Sequence, residues 1–354
     1  MSRKAAVLFV LCFAFAAVMA LPAFAQDTPP VPPNAIASGL NNPRFISYDA
    51  DGNLWIAEAG VGGDIVLPAD PNAPEGAPGS EAANAGLSSQ VSMVAADGTQ
   101  SVAIPMLWSV ATPMEQLGAM SVYGQDGAVW LVMSGGGPGP QPYYGDYVFK
   151  LTNINGFWRV AESIDMYANE AANNPDGADP LDSNVNSLAW DANGTLYIVD
   201  TGANTIFTWT EADGLTVWHS WTDDPVPTSI DFADDGTAYV SFLGTGIAPG
   251  AGHIEHISAD GSEVLETFGG LTAVTNVAVG QDGNVYAVEL ITVFGDQGPD
   301  MVSGAVVMVN ADGATPVAEG LLLPYGLAQA ADGSWAVSIG TLAGPGAGAV
   351  IKLG

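Results

Sequence analysis

The sequence predicts an all-β chain: a six-bladed β-propeller of four-stranded antiparallel blades, closed by its N-terminal strand completing the last blade. Three observations predict it. One phrase recurs six times, with apolar residues, then Asp-Gly or Asn-Gly, then an aromatic among further apolar residues. A second set of Asp-Gly or Asn-Gly turns falls between the copies, so each unit holds two hairpins. The last unit lacks a strand, and a matching segment stands near the start of the chain.

Taken in order, residues 1–25 read as a secretory signal. Arg3 and Lys4 precede an apolar run over 5–20, and Ala23-Phe24-Ala25 is a small-x-small cleavage site. Cys12 lies inside it, so the mature chain is expected to contain neither disulfides nor thiol chemistry. Residues 26–34 (QDTPPVPPN) read as a stiff Pro-rich tether, and 35–354 as a single propeller domain. The protein is expected to be exported, to a periplasmic or extracellular setting.

The phrase occupies residues 46–60, 120–135, 187–202, 229–242, 276–290 and 326–340, with its turn glycine at Gly52, Gly127, Gly194, Gly236, Gly283 and Gly333. The second turns lie at 97–98, 155–156, 213–214, 260–261 and 312–313. Residues 34–44 (NAIASGLNNPR) resemble 315–326 (TPVAEGLLLPYG), which makes the N-terminal segment the missing strand. Such closure protects sheet edges by circular repetition. Both turns of a blade then share one face. The long irregular stretches at 61–89, 135–146, 165–184, 243–252, 291–303 and 341–346 fall on the other, which is the expected ligand face.

Charge narrows the partners. Lys plus Arg number 6 against 38 Asp plus Glu, a net charge of −32. Loss of Arg3 and Lys4 with the signal leaves −34, and only Arg44, Lys150, Arg159 and Lys352 as cations. Phosphate backbones require clustered Lys and Arg, so nucleic acid and anionic membrane are excluded as partners. No second apolar run is long enough to span a bilayer. The acidity suits solubility outside the cell. With 48% hydrophobic and 12% charged residues, the chain has the composition of a packed core.

GLNNPR (39–44), YANEAANNPDG (167–177), DSN (182–184), VPTSIDFADDGTAYV (226–240), VTNVAVGQDGNVYAVEL (274–290) and SGAVVMVNADG (303–313) together resemble the ScyD/ScyE family. This secreted propeller family is named for scytonemin biosynthesis; NHL-type and gluconolactonase-type propellers are more distantly similar. The resemblance implies an exported six-bladed propeller, encoded in some members with pigment-biosynthesis enzymes. It carries over no settled catalytic residues. Where relatives often have Glu after the second strand of the fourth blade, this chain has Phe242.

Six residues after each turn glycine, the second strands are expected to end on the ligand face, at Glu58, Met133, Asp200, Phe242, Glu289 and Ile339. Glu58, Asp200 and Glu289, with Asp182, form a candidate set for Ca²⁺ or another divalent cation, with Asn184, Asn186 and Asn276 as further oxygen donors. The competing reading is that these carboxylates accept backbone N–H bonds. Arg44, Tyr143, Tyr144, Tyr167, Asn184, Phe242, Asn276 and Tyr325 are the candidate ligand-facing residues. The aromatics three residues after the turn glycine (Trp55, Trp130, Tyr197, Tyr239 and Tyr286) read as inter-blade packing. His253 and His256 point to opposite faces of one strand and cannot chelate together. No nucleophile elbow, zincin, P-loop or dinucleotide motif is present. Function is therefore expected to be that of a binding module for a small-molecule or protein ligand. The alternatives are a metal-assisted hydrolase or lactonase of gluconolactonase type and a structural cell-surface interaction protein.

Overall fold

The computed structural model describes residues 31–69, 81–112, 115–125, 127–135, 146–178, 181–296 and 298–354. The signal at 1–25, most of the tether, and Tyr143 and Tyr144 lie outside the described residues.

Six antiparallel sheets follow one another along the chain, as the repeats predict. The first blade is Pro43–Tyr48, Leu54–Glu58, Ala83–Val94 and Gln100–Ala111. The second is Ala119–Gln125, Ala128–Met133, Tyr147–Ile154 and Phe157–Asp165. The third runs Val185–Trp190, Leu196–Asp200, Thr205–Thr210 and Gly214–Ser220. The fourth is Pro227–Phe232, Ala238–Phe242, Gly252–Ile257 and Val264–Leu271, and the fifth is Val274–Val279, Val285–Glu289, Gly304–Asn310 and Gly313–Leu321. Leu327–Gln329, Trp335–Ile339 and Gly348–Lys352 make three strands of the sixth. Its fourth is Ala35–Leu40, antiparallel to Gly348–Lys352 with Ser38 opposite Ala349. Asn34 adds a side-chain bond to the Lys352 carbonyl at 2.7 Å. The first strand of the domain thus completes the last blade.

The inner hairpin shows why the phrase carries Asp and Gly where it does. Asp49 accepts from the backbone N–H groups of Asp51 and Asn53 at 3.0 and 2.8 Å and from Trp55 Nε1 at 2.9 Å. Gly52 sits at φ +80°, where a Cβ is disfavoured. Residues 49–53 are a self-satisfied turn, not a cation loop.

Burial falls from axis to rim. Leu54–Glu58 and Leu196–Asp200 are buried at every position, while Phe157–Asp165 and Gly313–Leu321 are mostly exposed. A strand covered on both faces by neighbouring blades reads as a continuous apolar run. The core is accordingly divided into inter-blade layers. The repeated aromatics bridge them: Trp55 meets Trp158, Trp130 meets Trp190, Tyr197 meets Phe232, and Tyr286 meets Trp335.

Two insertions depart from the expected loops. In the first blade, the third and fourth strands run for 12 residues each, and Ile65–Leu67 and Gln116–Leu117 pair onto their extensions. In the second, Met166–Asn173 is a short helix. Asp165 caps it by accepting from Ala168 N at 2.9 Å, and Met166 and Glu170, four residues apart, both point inward and are buried.

Candidate functional site

The second strands end at Glu58, Met133, Asp200, Phe242, Glu289 and Ile339, the positions read from the repeat. The three carboxylates do not share a point. Glu58 accepts from Asn41 N at 2.7 Å, Gln90 Nε2 at 2.9 Å and Ser92 Oγ at 2.5 Å. Asp200 accepts from Asn184 N at 2.8 Å, Ser183 Oγ at 2.7 Å and Ala203 N at 3.2 Å. Glu289 accepts from Thr272 N at 2.7 Å. Each holds an amide of the segment that leads into its own blade's inner strand, so each is a local tie. Burial raises all three pKa values, partly offset by these bonds. Among the described residues, no three His, Asp or Glu side chains gather in a way that would hold a metal ion. A cation shared by Glu58, Asp182, Asp200 and Glu289 therefore does not fit this geometry.

Two of the candidate ligand-facing residues are structural. Phe242 is fully buried, stacked on His253 at 4.3 Å and edge-on to Trp221 at 5.1 Å, in the layer between the third and fourth blades. Position in the repeat located its backbone at the ligand face, but its ring turns into the core. Asn276 accepts from Leu327 N at 2.7 Å and donates to Ser229 Oγ at 3.1 Å, which ties the fifth blade to the sixth and the fourth.

Arg44 and Tyr325 meet at the axis. Tyr325 donates to Asn186 Oδ1 at 2.9 Å, from the sixth blade to the third. Asn186 donates to the Thr228 carbonyl at 2.8 Å, and Thr275 donates to the Tyr325 carbonyl at 2.8 Å. Arg44 lies over the Tyr325 ring, 5.0 Å from its centroid, and donates to Thr341 Oγ1 and the Gln116 carbonyl, both at 2.9 Å. Side chains from four blades and a backbone carbonyl of a fifth are thus linked across the centre of the ring.

Beside this plug, on the loop face, the helix and the entrance of the third blade assemble a largely buried acidic cluster, the acidic mouth. Glu170 is fully buried; its Oε1 accepts from Asp182 N at 3.0 Å, and its Oε2 has no partner among the described residues. Asp146, also buried, accepts from Gly135 N at 3.1 Å and Val185 N at 3.2 Å. Asp176 and Asp200 complete the group. Burial, then the charge of Asp200, pushes Asp146 well above the usual carboxylate range. Burial first, and neighbouring carboxylates after it, push Asp182 and Glu170 up to about 7. The ion pair recorded among the described residues, His253 with Glu255 at 3.8 Å, lies on the fourth blade and does not offset this charge. Asn184 borders the mouth, accepting from Ser134 Oγ at 2.6 Å, and Tyr167 is half-buried on the helix.

Asp146, Glu170 and Asp176 are not among the residues singled out from sequence. The available signal was the Asp165 cap followed by Glu170 in the helix, inside the YANEAANNPDG segment that already carries the family resemblance.

No family model matches the sequence, and no curated protein matches it. Among solved structures, the chain is similar to the PQQ-bound aldose sugar dehydrogenase of Streptomyces coelicolor, with TM-score 0.54 and 11% identity over 90% of this chain and 95% of that one. It is similar to the calcium-binding protein regucalcin of Agrobacterium tumefaciens C58, with TM-score 0.51 and 14% identity over 90% and 92%. Streptogramin B lyase gives TM-score 0.50 and 13% identity over 91% and 96%. The likeness is one of fold: these are propellers of the same general build, and their ligands and reactions differ.

Proposed function

We propose that this chain is an exported propeller that binds a cationic ligand on its loop face, at the mouth formed by Asp146, Glu170, Asp176, Asp182 and Asp200. The observation that carries the reading is Glu170, a buried carboxyl group with an unpartnered oxygen, facing like charges. Buried charge without a counter-charge is costly, and an incoming cation relieves it. Among the described residues, the carboxylates are not spaced as a chelating triad. That spacing favours a ligand with several N–H donors, an organic amine or a basic protein loop, over a bare ion. Export rests on the signal features of residues 1–25, and the resemblance to the secreted ScyD/ScyE propellers agrees with it. A divalent cation is the smaller alternative; regucalcin, similar in fold, is described as calcium-binding. The hydrolase reading loses support because Glu58, Asp200 and Glu289 are each committed to backbone amides.

Isothermal calorimetry with spermidine and, separately, with calcium chloride tests this. Spermidine is expected to bind saturably, and more tightly at about pH 8 than at about pH 6 because Glu170 and Asp182 ionise between them. Glu170→Gln with Asp182→Asn is expected to weaken binding roughly tenfold or more. No spermidine heat at either pH, or binding of calcium alone, would contradict the organic-cation reading.

A further inference from the structure

A second feature lies on the opposite face, that of the Asp-Gly turns, and is independent of the acidic mouth. Between the second and third blades a cleft of about 260 Å³ opens, lined by Trp130, Trp190, Trp209, Lys150, Gln125 and Glu211 among others. Trp130 forms its floor and is buried, while Trp190 and Trp209 are half-buried. The ring of Trp130 stands 5.9 Å from Trp190 and 5.3 Å from Trp209, at interplanar angles of 65° and 66°. Lys150 Nζ is held 5.4 Å from the Trp130 ring centroid, a cation–π contact that keeps one of the mature chain's few cations in the cleft.

Neighbouring junctions use their indole N–H groups internally. Trp55 donates to Asp49 at 2.9 Å, Trp158 to the Ala103 carbonyl at 2.9 Å, and Trp218 to the Ala259 carbonyl at 3.5 Å. In the cleft, no described residue accepts from the indole N–H of Trp130, Trp190 or Trp209. Concave aromatic surface with a few polar groups at its rim is the usual make-up of a small-molecule site. Ring geometry selects the ligand class. Trp130 is inclined by about two-thirds of a right angle to Trp190 and to Trp209, so it makes with neither the parallel slot that a flat aromatic ligand would fill. A sugar chair presents C–H groups on both faces and hydroxyls around its edge. Those hydroxyls match the Lys150 ammonium, the Glu211 carboxylate, the Gln125 amide and the indole N–H donors.

We propose that the cleft between the second and third blades is a saccharide-binding site that takes one pyranose ring against Trp130, Trp190 and Trp209, with Lys150 and Glu211 on its hydroxyls. Intrinsic tryptophan fluorescence, titrated with glucose, galactose, mannose and N-acetylglucosamine, tests it on the intact chain. At least one sugar is expected to give a saturable change in the millimolar range. Lys150→Met and Glu211→Gln are each expected to weaken it several-fold with unchanged melting temperature, and Trp209→Ala to abolish it. The two rim variants keep the test decisive if Trp209→Ala fails to fold. Glu170→Gln, at the other face, is expected to leave sugar binding unaltered. The proposal is overturned by no saturable change with any of the four sugars, by binding that persists unchanged in both rim variants, or by benzoate saturating the site in preference to all four.

Discussion

Tyr325 Oη lies 2.9 Å from Asn186 Oδ1, so a side chain from the sixth blade is hydrogen-bonded to one from the third, the blade directly opposite. A propeller channel is wide enough to need filling, and here a ring and an amide fill it. Asn186 is buried, so its oxygen has no ready replacement partner. Tyr325→Phe is expected to destabilise the fold by about 1–3 kcal/mol, the usual cost of stranding a buried acceptor. Urea denaturation of the two proteins checks this.

The acidic mouth makes stability depend on pH in a definite direction. Glu170 and Asp182 carry folded-state pKa values of about 7, above their ordinary carboxylate values. Between the ordinary carboxylate range and about pH 7, the folded chain therefore holds protons that the unfolded chain releases. Their contribution is fully present below that range and is lost as pH rises through about 7. Melting temperature is expected to fall from about pH 5 to about pH 8, with the slope reduced in Glu170→Gln. A melting temperature that rises over this window would contradict the assignment.

Closure of the ring rests on a short strand with one large inward side chain. Leu40 is 1% exposed and packs with Ile46, Ile56 and Val350 across the junction of the first and sixth blades. Leu40→Ala is expected to lower stability by about 2–5 kcal/mol, the range for emptying a packed core site. Thermal denaturation followed by circular dichroism measures it.

Gly124 tests the packing of the first blade on the second. A Cβ there would collide with Trp55 Nε1, the atom that donates to Asp49. Gly124→Ala is expected to displace the indole and cost about 1–3 kcal/mol. The displacement is read as a shift in tryptophan emission alongside the lowered melting temperature.

Much of the scaffold was legible because it depends on local chemistry repeated at a regular interval. The turn glycines, the second-strand ends and the pairing of residues 35–40 with the last blade all follow from the repeat. The site was less legible, since a repeat position locates a backbone and not the direction of a side chain. Glu58, Asp200 and Glu289 stand where the repeat places them, yet each turns to an adjacent amide. Phe242 turns into an inter-blade layer for the same reason that any large apolar ring does. The acidic mouth joins Asp146, at the start of the third strand in blade two, to Glu170 in an inserted helix and Asp200 in blade three. No local pattern encodes a contact among three separate segments, and the helix that supplies Glu170 interrupts an otherwise β-periodic chain.

The closed ring itself is tested most directly by a cross-link. Ser38 and Ala349 are antiparallel partners on the closing strands, and Cys12, the single cysteine of the sequence, is replaced by serine for the test. Ser38→Cys with Ala349→Cys is expected to form an intramolecular disulfide on oxidation, since paired strand positions fall within disulfide reach, and to raise the melting temperature relative to the reduced form. Free thiols after oxidation, or cross-links only between molecules, would contradict the closure on which the assignment of faces depends.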